Sequence, residues 1–589
     1  MADTGTMISR IYGGFRGVDF RGEEVNLSRS PDSCNMWKNY KETDSIETRP
    51  DLKQYAPFSR RVNGIYFLQG KMYVHCDQEF FKVEKSGDTT TTTSISRELI
   101  DAPSTGIVYG NHLYILDGSD YYCFDGTTFD YVQGYIPTTV ISSDGLGNGS
   151  TYQDVNLLCG TRQVNTFRGR GKGSGQLTYY VSAPKIYADG ITVRVYEEVD
   201  GKWDWYIRAQ TDYTVKTDEG AIEFVSGREP DVPHTDGQDN ISIEFASYVE
   251  GKTYAQAIFP STDIRRCTLL QVFDNRIFVS GNPNKPNRIW HCSMDTPTYF
   301  SASDYYDEGI DTAKVTGMAV GNNAIWVFRE PTDTGTSVFY HTPAIDDTYG
   351  KIYPSSHSSI ALGCAGKALN FNDDIIFFSQ RGMEGVSGDI ATEQMAAHRS
   401  SLIDRKLMSE PNYKDMILEE WQGYLLVIVP NDLGSHIYLA DSRALFTNEN
   451  HAEYEWFYWE LNKVVTCVKE YEGVLYVGTN DGVYELSGDT NVTSWWVTPK
   501  DKFGVANKTK TTLKKGCVVE AFGEVTLSAK TDADIAFDDG ETFNEDDFFT
   551  CRIRKKKFKD IQLKFYSETR FRLETATLEA IVGGYIKGR

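Results

Sequence analysis

Three acidic residues that lie close together in the chain are the first candidates for catalysis. They are Asp304, Asp307 and Glu308, and most glycoside hydrolases work with two carboxylates that flank the bond to be cleaved. Only the proximity of these residues in the sequence suggests catalysis, and acidic loops are common in a chain with 83 Asp and Glu residues. We therefore expect no catalytic residue here.

Other patterns for catalysis and metal binding are incomplete. Ala536–Phe543 matches the S-x-D-x-G-x-T-W turn of sialidase propellers except for Ala and Phe at the two ends, and it occurs once; we interpret it as an ordinary Asp-Gly turn. Asp532–Ala536 lacks ligand positions of a calcium loop. The nine His residues form no HExxH or zinc-spaced motif, and no G-x-S-x-G elbow occurs. The sequence predicts no enzyme, metal site or cofactor.

A basic, glycine-rich stretch from Phe167 to Gly175 contains Arg168, Arg170 and Lys172. It fails the P-loop spacing, because Lys172 is followed by Gly. The three cations are candidates for contact with a passing nucleic-acid backbone, which requires no reading of base sequence. A solvated loop is the alternative interpretation.

The formal net charge of −23 argues against a duplex-DNA reader, which needs a basic face. Solubility is one explanation of this charge, and a surface that does not hold passing nucleic acid is another. The ten Cys residues include no CxxC pair, which predicts free thiols in a reducing compartment. Without a signal sequence or a run of 18 apolar residues, we expect no membrane anchor and assembly in a cytosol.

The rest of the chain contains a repeated pattern of short strands joined by tight turns. Val464–Ser487 reads as three short strands joined by tight turns at Glu472–Gly473 and Asn480–Gly482. The same turn-plus-strand pattern starts at Gly70, Gly110, Asn275, Asn323, Asp374, Gly423 and Gly473. Apart from one long gap after Gly110, the spacing is about 40–50 residues, which is typical of propeller blades.

The sequence therefore predicts a mainly β protein, with a six- or seven-bladed β-propeller, an inserted β-sandwich domain and a C-terminal β domain. A helix is expected within 391–408, between two blades. The expected segments are an N-terminal arm (1–50), the first blades (51–137), the insertion (138–262), the remaining blades (263–495) and the C-terminal domain (496–589).

The N-terminal arm resembles the start of bacteriophage tail stabilisation proteins, also called tail hub or nozzle proteins. The resemblance lies in Asn35-Met36-Trp37-Lys38-Asn39-Tyr40 and Glu47-Thr48-Arg49-Pro50, although Asp51 stands where that group has Gly. The end of the chain, Phe558–Phe565 and Gly583–Tyr585, looks like the closing β domain of such propellers. The inserted segment, with Tyr213-Thr-Val and later Gly220-Ala-Ile-Glu-Phe, is similar to small sandwich modules of phage tail proteins.

This resemblance implies a non-catalytic virion protein of the phage tail, assembled in the host cytoplasm. It implies a homo-oligomeric ring that continues the DNA channel near the portal and adaptor proteins. Candidate assembly residues are Asn35, Met36, Trp37, Tyr40, Arg49 and Pro50, with the aromatic side chains as anchors in a partner's pocket. A glycan-binding or glycan-cleaving propeller and a host-contacting tail-tip protein are the alternatives, because a fold does not decide function.

Overall fold

The computed structural model describes residues 6–39, 44–87, 89–333, 335–347, 350–387, 395–448, 451–544 and 547–585. The protein is mainly β, as predicted. It divides into two compact units: Met1–Ser104 together with Val315–Arg589 form the first, and Thr105–Lys314 form the second.

Seven four-stranded antiparallel sheets occur in the described parts of the chain, and we number them in chain order. In the first unit, sheet 1 contains Val62–Leu68, Lys71–Cys76, Glu79–Ser86 and Thr89–Ser96; sheet 4 contains Val315–Gly321, Ala324–Arg329, Val338–His341 and Ser355–His357; sheet 5 contains Ala368–Phe371, Asp374–Ser379, Gly382–Ser387 and Met395–His398; sheet 6 contains Ile417–Trp421, Tyr424–Pro430, Ser435–Asn448 and His451–Leu461; and sheet 7 contains Val465–Tyr471, Val474–Thr479, Gly482–Gly488 and Asp51–Pro57. In the second unit, sheet 2 contains Thr105–Tyr109, His112–Leu116, Tyr121–Phe124 and Phe129–Tyr131, and sheet 3 contains Leu269–Phe273, Arg276–Ser280, Arg288–His291 and Tyr305–Asp307.

The first hairpin of every one of these sheets turns at the predicted position or, at Asn372–Asp373, one residue before it. Both central residues of each turn have positive φ, for example 53° at Asn322 and 56° at Asn323. Two consecutive positive φ angles define the type I′ turn, whose twist matches that of the flanking strands. The other pairs with positive φ are Gln69–Gly70, Gly110–Asn111, Asp274–Asn275, Asn372–Asp373, Gln422–Gly423 and Glu472–Gly473. The seven hairpin predictions are therefore confirmed.

Within the first unit, the first strands of sheets 4, 5, 6, 7 and 1 lie side by side in that order, and the first strands of sheets 2 and 3 are neighbours within the second unit. Sheet 7 takes its fourth strand, Asp51–Pro57, from the N-terminal region, where it pairs with Gly482–Gly488. A strand borrowed from the other end of the chain covers a sheet edge that would otherwise stay open.

The two ends of the chain build one ten-stranded sheet in the first unit. Its longest strands, Lys508–Thr531 and Phe571–Tyr585, pair with each other, and Tyr12, Met36 and Ile46 contribute to its core. The remaining strands are Met7–Tyr12, Ser33–Cys34, Met36–Trp37, Ile46–Thr48, Ser494–Val497, Glu541–Asn544, Asp547–Cys551 and Ile561–Ser567. The N-terminal segment is thus part of a sheet.

The second unit also contains a six-stranded and a three-stranded sheet that share one hydrophobic core. The six strands, in sheet order, are Ser150–Thr151, Thr138–Ser143, Arg162–Phe167, Ile241–Ala246, Thr192–Val199 and Lys202–Ile207. The three strands are Thr178–Tyr180, Ala221–Phe224 and Tyr213–Lys216. Thr138–Ser143 and Arg162–Phe167 run parallel to each other, whereas the other paired strands of these two sheets are antiparallel.

Helices are short throughout the described residues. The α-helices are Tyr254–Ala257, Thr262–Arg265 and Asp404–Leu407, the 3-10 helices are Gln210–Asp212, Thr217–Glu219 and Tyr413–Asp415, and a further hairpin joins Ala344–Asp346 to Gly350–Ile352. The helix expected within 391–408 is wrong over most of its described length: Met395–His398 pairs with Gly382–Ser387 as a strand, and helix occurs only at Asp404–Leu407. Residues 391–394 lie outside the described residues.

Candidate functional site

Asn35 is the centre of a buried polar arrangement in the N-terminal segment. Its backbone φ is +59°, a conformation that Asn tolerates better than most residues. Its Oδ1 accepts hydrogen bonds from the backbone N–H of Glu460 and from Nε of Arg49, both at 2.9 Å, and its Nδ2 donates to the carbonyl of Thr493 at 2.9 Å. One side chain therefore joins three segments that are distant in the sequence.

Arg49 completes this arrangement, which we call the Asn35–Arg49 clamp. Its guanidinium is buried and donates to the carbonyl oxygens of Glu460 at 2.9 Å and Pro50 at 2.8 Å. The pKa of Arg49 is lowered from its usual value, because the effect of burial exceeds the opposing effect of the nearby charge of Asp51. Arg presents several donors in a fixed planar fork, which suits one cation that must satisfy several acceptors.

Met36 and Trp37 lie inside the chain. Met36 is fully buried in the core of the ten-stranded sheet. Trp37 is 3% exposed and packs against sheet 6, with ring centroids 5.5 Å from Trp421, 5.4 Å from Tyr424 and 5.6 Å from Trp459. An anchor for a partner must be exposed in the free protein, so this placement disagrees with the expectation that these two side chains fill a partner's pocket.

Two other predicted assembly residues complete this account. Pro50 is half-buried and its carbonyl accepts the hydrogen bond from Arg49. Tyr40 lies outside the described residues. The structure thus brings Asn35, Arg49 and Pro50 together in the clamp and places Met36 and Trp37 in the neighbouring cores.

The three candidate cations of the basic loop are exposed. Arg168 pairs with Asp239 at 3.3 Å, and Lys172 lies 3.4 Å from a carboxylate oxygen of Asp231. Arg170 also lies at the surface. Carboxylates therefore offset two of the three charges, which weakens the attraction of this loop for a phosphate backbone. Contact with nucleic acid here stays a prediction.

The three acidic candidates for catalysis differ in their surroundings. Asp307 accepts two hydrogen bonds from Arg288, at 2.6 and 2.7 Å, and lies at the surface, whereas Glu308 is buried. Burial raises the pKa of Asp304. Glu308 is shielded in the interior, so it is not available to flank a substrate bond together with Asp307, as glycoside hydrolysis requires of two carboxylates.

The residues of the incomplete sialidase motif have structural contacts. Asp538 accepts a hydrogen bond from the backbone of Ala529 at 2.8 Å and pairs with Lys555 at 3.1 Å.

Among the described residues, no three His, Cys, Asp or Glu side chains come together in a group that could hold a metal ion. In the same part of the chain, no helix has the length and apolar character needed to cross a membrane.

Sequence reasoning missed an exposed aromatic surface in the second unit. On the edge strand Lys202–Ile207, Trp203 is 36% exposed, Trp205 41% and Ile207 68%. Tyr196, on the neighbouring strand, lies 5.8 Å from Trp203 and 5.6 Å from Trp205 between ring centroids. The alternation of Trp203, Trp205 and Ile207 along one strand face was the available signal.

No protein-family model and no curated protein matches the sequence. Among solved structures, BamB from Moraxella catarrhalis aligns with 12% identity and a TM-score of 0.33, over 74% of this chain and 96% of that one. The computationally designed Ika8 protein aligns with 9% identity and a TM-score of 0.31, over 74% and 98%. An ancestral GH74 enzyme aligns with 8% identity and a TM-score of 0.25, over 78% of each chain. Similarities of this size carry no argument about function.

Proposed function

We propose that this protein is a structural subunit of a bacteriophage tail, of the hub or nozzle type. It forms a homo-oligomeric ring near the head–tail junction, continues the DNA channel and contacts portal or adaptor proteins and other tail proteins. Its four-stranded sheets act as β-propeller blades, of which the sequence predicts six or seven, and the chain adds an inserted β-sandwich and a C-terminal β domain. The protein acts as a scaffold and not as an enzyme.

The Asn35–Arg49 clamp is the observation that carries this proposal. Asn35 and Arg49, which belong to the Asn-Met and Arg-Pro pairs that resemble the phage group, fasten the N-terminal segment to Glu460 in sheet 6 and to Thr493. Buried polar groups that are fully hydrogen-bonded hold a single arrangement of the segments they join. Residues that carry the resemblance therefore have a structural role, which suits a rigid scaffold.

The charge of the chain suits a DNA channel. A net charge of −23 repels a polyanion at long range, and a ring with this charge would let DNA slide without being retained. The carboxylates beside Arg168 and Lys172 reduce the local attraction in the same way.

The decisive experiment is to locate the protein in virions. Particles of a phage that encodes this chain with a small epitope tag in its exposed 235–238 loop would be purified, labelled with antibody and imaged by electron microscopy. We expect label at the neck or upper tail. We also expect the copy number per particle to equal the number of subunits in one ring or a multiple of that number. Absence of the protein from purified particles would overturn the proposal.

A second candidate function is contact with a host glycan through Tyr196, Trp203 and Trp205. Flat aromatic side chains at the surface suit stacking on the apolar faces of sugar rings, and Arg194 and Glu244, which form an ion pair at 3.6 Å, supply polar groups on the same sheet face. Affinity electrophoresis in gels that contain host surface polysaccharide would test it. We expect Trp205→Ala to abolish retardation and Tyr152→Ala, another exposed aromatic position, to leave it unchanged; unretarded wild-type protein would refute this function.

A further inference from the structure

A cavity of about 270 Å³ lies within the second unit, between the end of sheet 2 and the segment that contains the helix Tyr254–Ala257. Most of its wall is apolar and comes from Val132, Leu158, Ile258 and Phe259. Concave, mostly apolar pockets with a few polar groups are the usual form of small-molecule sites. The polar groups of this cavity therefore decide what it can bind.

One of its two arginines is already paired. Arg265 donates to both carboxylate oxygens of Asp120, with 2.8 Å for the Nη2 bond, and its guanidinium lies 4.3 Å from the ring centroid of Phe259. Asp120 is buried, so this ion pair is a neutral, preformed part of the wall. It leaves no positive charge for a ligand.

The second arginine, Arg162, lies on the strand Arg162–Phe167 and also lines the cavity. Its Nε is buried and finds no hydrogen-bond acceptor anywhere in the described parts of the chain. Within the same residues, no carboxylate forms an ion pair with its guanidinium. Because this Nε is sealed from the surface, a ligand in the cavity must be held by the two Nη nitrogens at the end of the side chain, and guanidinium nitrogens can only donate.

We propose that this cavity binds a carboxylate that carries an apolar, ring-sized body. The carboxylate accepts hydrogen bonds from the Arg162 guanidinium, whose fork fits a carboxylate with two parallel bonds. The body fills the space beside Leu158 and Phe259. An apolar cavity of about 150 Å³ holds benzene, so 270 Å³ accommodates an aromatic ring with a short acid chain. This inference goes beyond the proposed scaffold function and does not depend on it.

The test uses phenylacetate and the full-length protein, with saturation-transfer NMR to detect binding and calorimetry to measure it. The neutral analogue 2-phenylethanol is the chemical control. We expect phenylacetate to bind at least tenfold more tightly than 2-phenylethanol and Arg162→Gln to remove this preference. Arg228→Gln, at an exposed arginine outside the cavity, should bind phenylacetate like the wild type.

A steric variant keeps the test independent of any effect of Arg162 on folding. Ala255 is exposed and lines the cavity, so Ala255→Trp should obstruct it while leaving the circular dichroism spectrum unchanged. No binding of phenylacetate, equal binding of 2-phenylethanol, or unchanged binding by Arg162→Gln or Ala255→Trp would each overturn the proposal.

The same carboxylate chemistry could come from a free acid or from the C-terminus of a peptide with an aromatic last residue. A Gly-Gly-Phe peptide with a free carboxylate, and its amide, form the second arm of the experiment. Binding of the free peptide at least as tight as that of phenylacetate assigns the cavity to a chain terminus. Weaker or no binding assigns it to a small molecule.

Discussion

Replacing Trp37 by Ala separates two roles for the N-terminal segment. If Trp37 were an anchor for a partner, its removal would spare the isolated protein and weaken assembly. The structure instead buries Trp37 among Trp421, Tyr424 and Trp459 of sheet 6. We therefore expect Trp37→Ala to destabilise the isolated protein itself.

The magnitude follows from burial. Truncation of a fully buried aromatic side chain to Ala costs about 3–5 kcal/mol, because transfer free energy is lost and a cavity remains. The Nε1 of Trp37 has no hydrogen-bond partner among the described residues, so Trp37→Phe loses packing but no hydrogen bond. We expect Trp37→Phe to cost about half as much or less, since a shape-related aromatic ring still fills most of the site.

Hydrogen–deuterium exchange is the appropriate measurement, because a chain of 589 residues with two compact units need not unfold in a single two-state transition. Amides of the strand Tyr424–Pro430 report local opening next to Trp37. A loss of 3–5 kcal/mol should accelerate their exchange by about a hundred- to a few-thousandfold. Trp205→Ala, at an exposed position, is the matched control and should leave these amides unchanged.

One result would refute this reasoning. If Trp37→Ala exchanged like the wild type in Tyr424–Pro430 and yet failed to enter particles, Trp37 would be an interface residue as the sequence suggested. The burial of its ring within the free chain would then not describe the molecule before assembly.

Three further predictions concern the clamp, one histidine and the thiols. Arg49→Ala leaves buried carbonyl oxygens without donors, so it should reduce the free energy of unfolding by about 1–3 kcal/mol and lower the thermal midpoint. Arg49→Lys should restore little of that midpoint, because an ammonium lacks the planar fork. Burial would lower the pKa of His398, but hydrogen bonds to Asp404 and Glu384 outweigh it and raise that pKa from 6.5 to about 9. The charged imidazole thus stabilises the fold fully below about pH 6.5, by up to about 3 kcal/mol, and this contribution disappears as the pH rises through 9; the difference in thermal midpoint between wild type and His398→Gln should shrink over that range. All ten cysteines are unpaired in the structure, so alkylation after denaturation without reductant should modify all ten, and two or more protected residues in the mass spectrum would contradict assembly in a reducing cytosol.

The repeated hairpins were predictable because their signal is local. Asn and Gly tolerate positive φ, and pairs such as Asn322–Asn323 therefore mark a type I′ turn whatever the rest of the chain does. The strand Met395–His398 was not predictable in the same way. Its Met, Ala, Ala, His sequence favours a helix, and only pairing with Gly382–Ser387 makes it a strand.

The candidate site was harder to predict for a related reason. Exposure of an aromatic residue depends on contacts with segments far away in the sequence, and nothing near Trp37 indicates that Trp421 and Trp459 will cover it. The unpaired Nε of Arg162 is likewise a property of the folded surroundings. In contrast, the exposed face of Trp203 and Trp205 could have been predicted, because residues that alternate along a strand share one face and this alternation is visible in the sequence.

The burial of Trp37 also changes how a truncation experiment must be understood. Removal of residues 1–50 deletes the strands that pair with the ten-stranded sheet and removes Asn35 and Arg49 from the clamp. A truncated protein that failed to enter particles would thus be explained by misfolding as well as by lost docking. If the N-terminal segment braces its own chain, the contacts of the proposed ring must come from surfaces exposed in the free protein. The search begins at exposed apolar residues such as Ile345, in the strand Ala344–Asp346, and Leu433, which are 87% and 92% exposed. Single exposed apolar residues are ordinary on a monomer, so such a residue counts as an interface residue only if its replacement reduces incorporation while exchange at Tyr424–Pro430 stays that of the wild type.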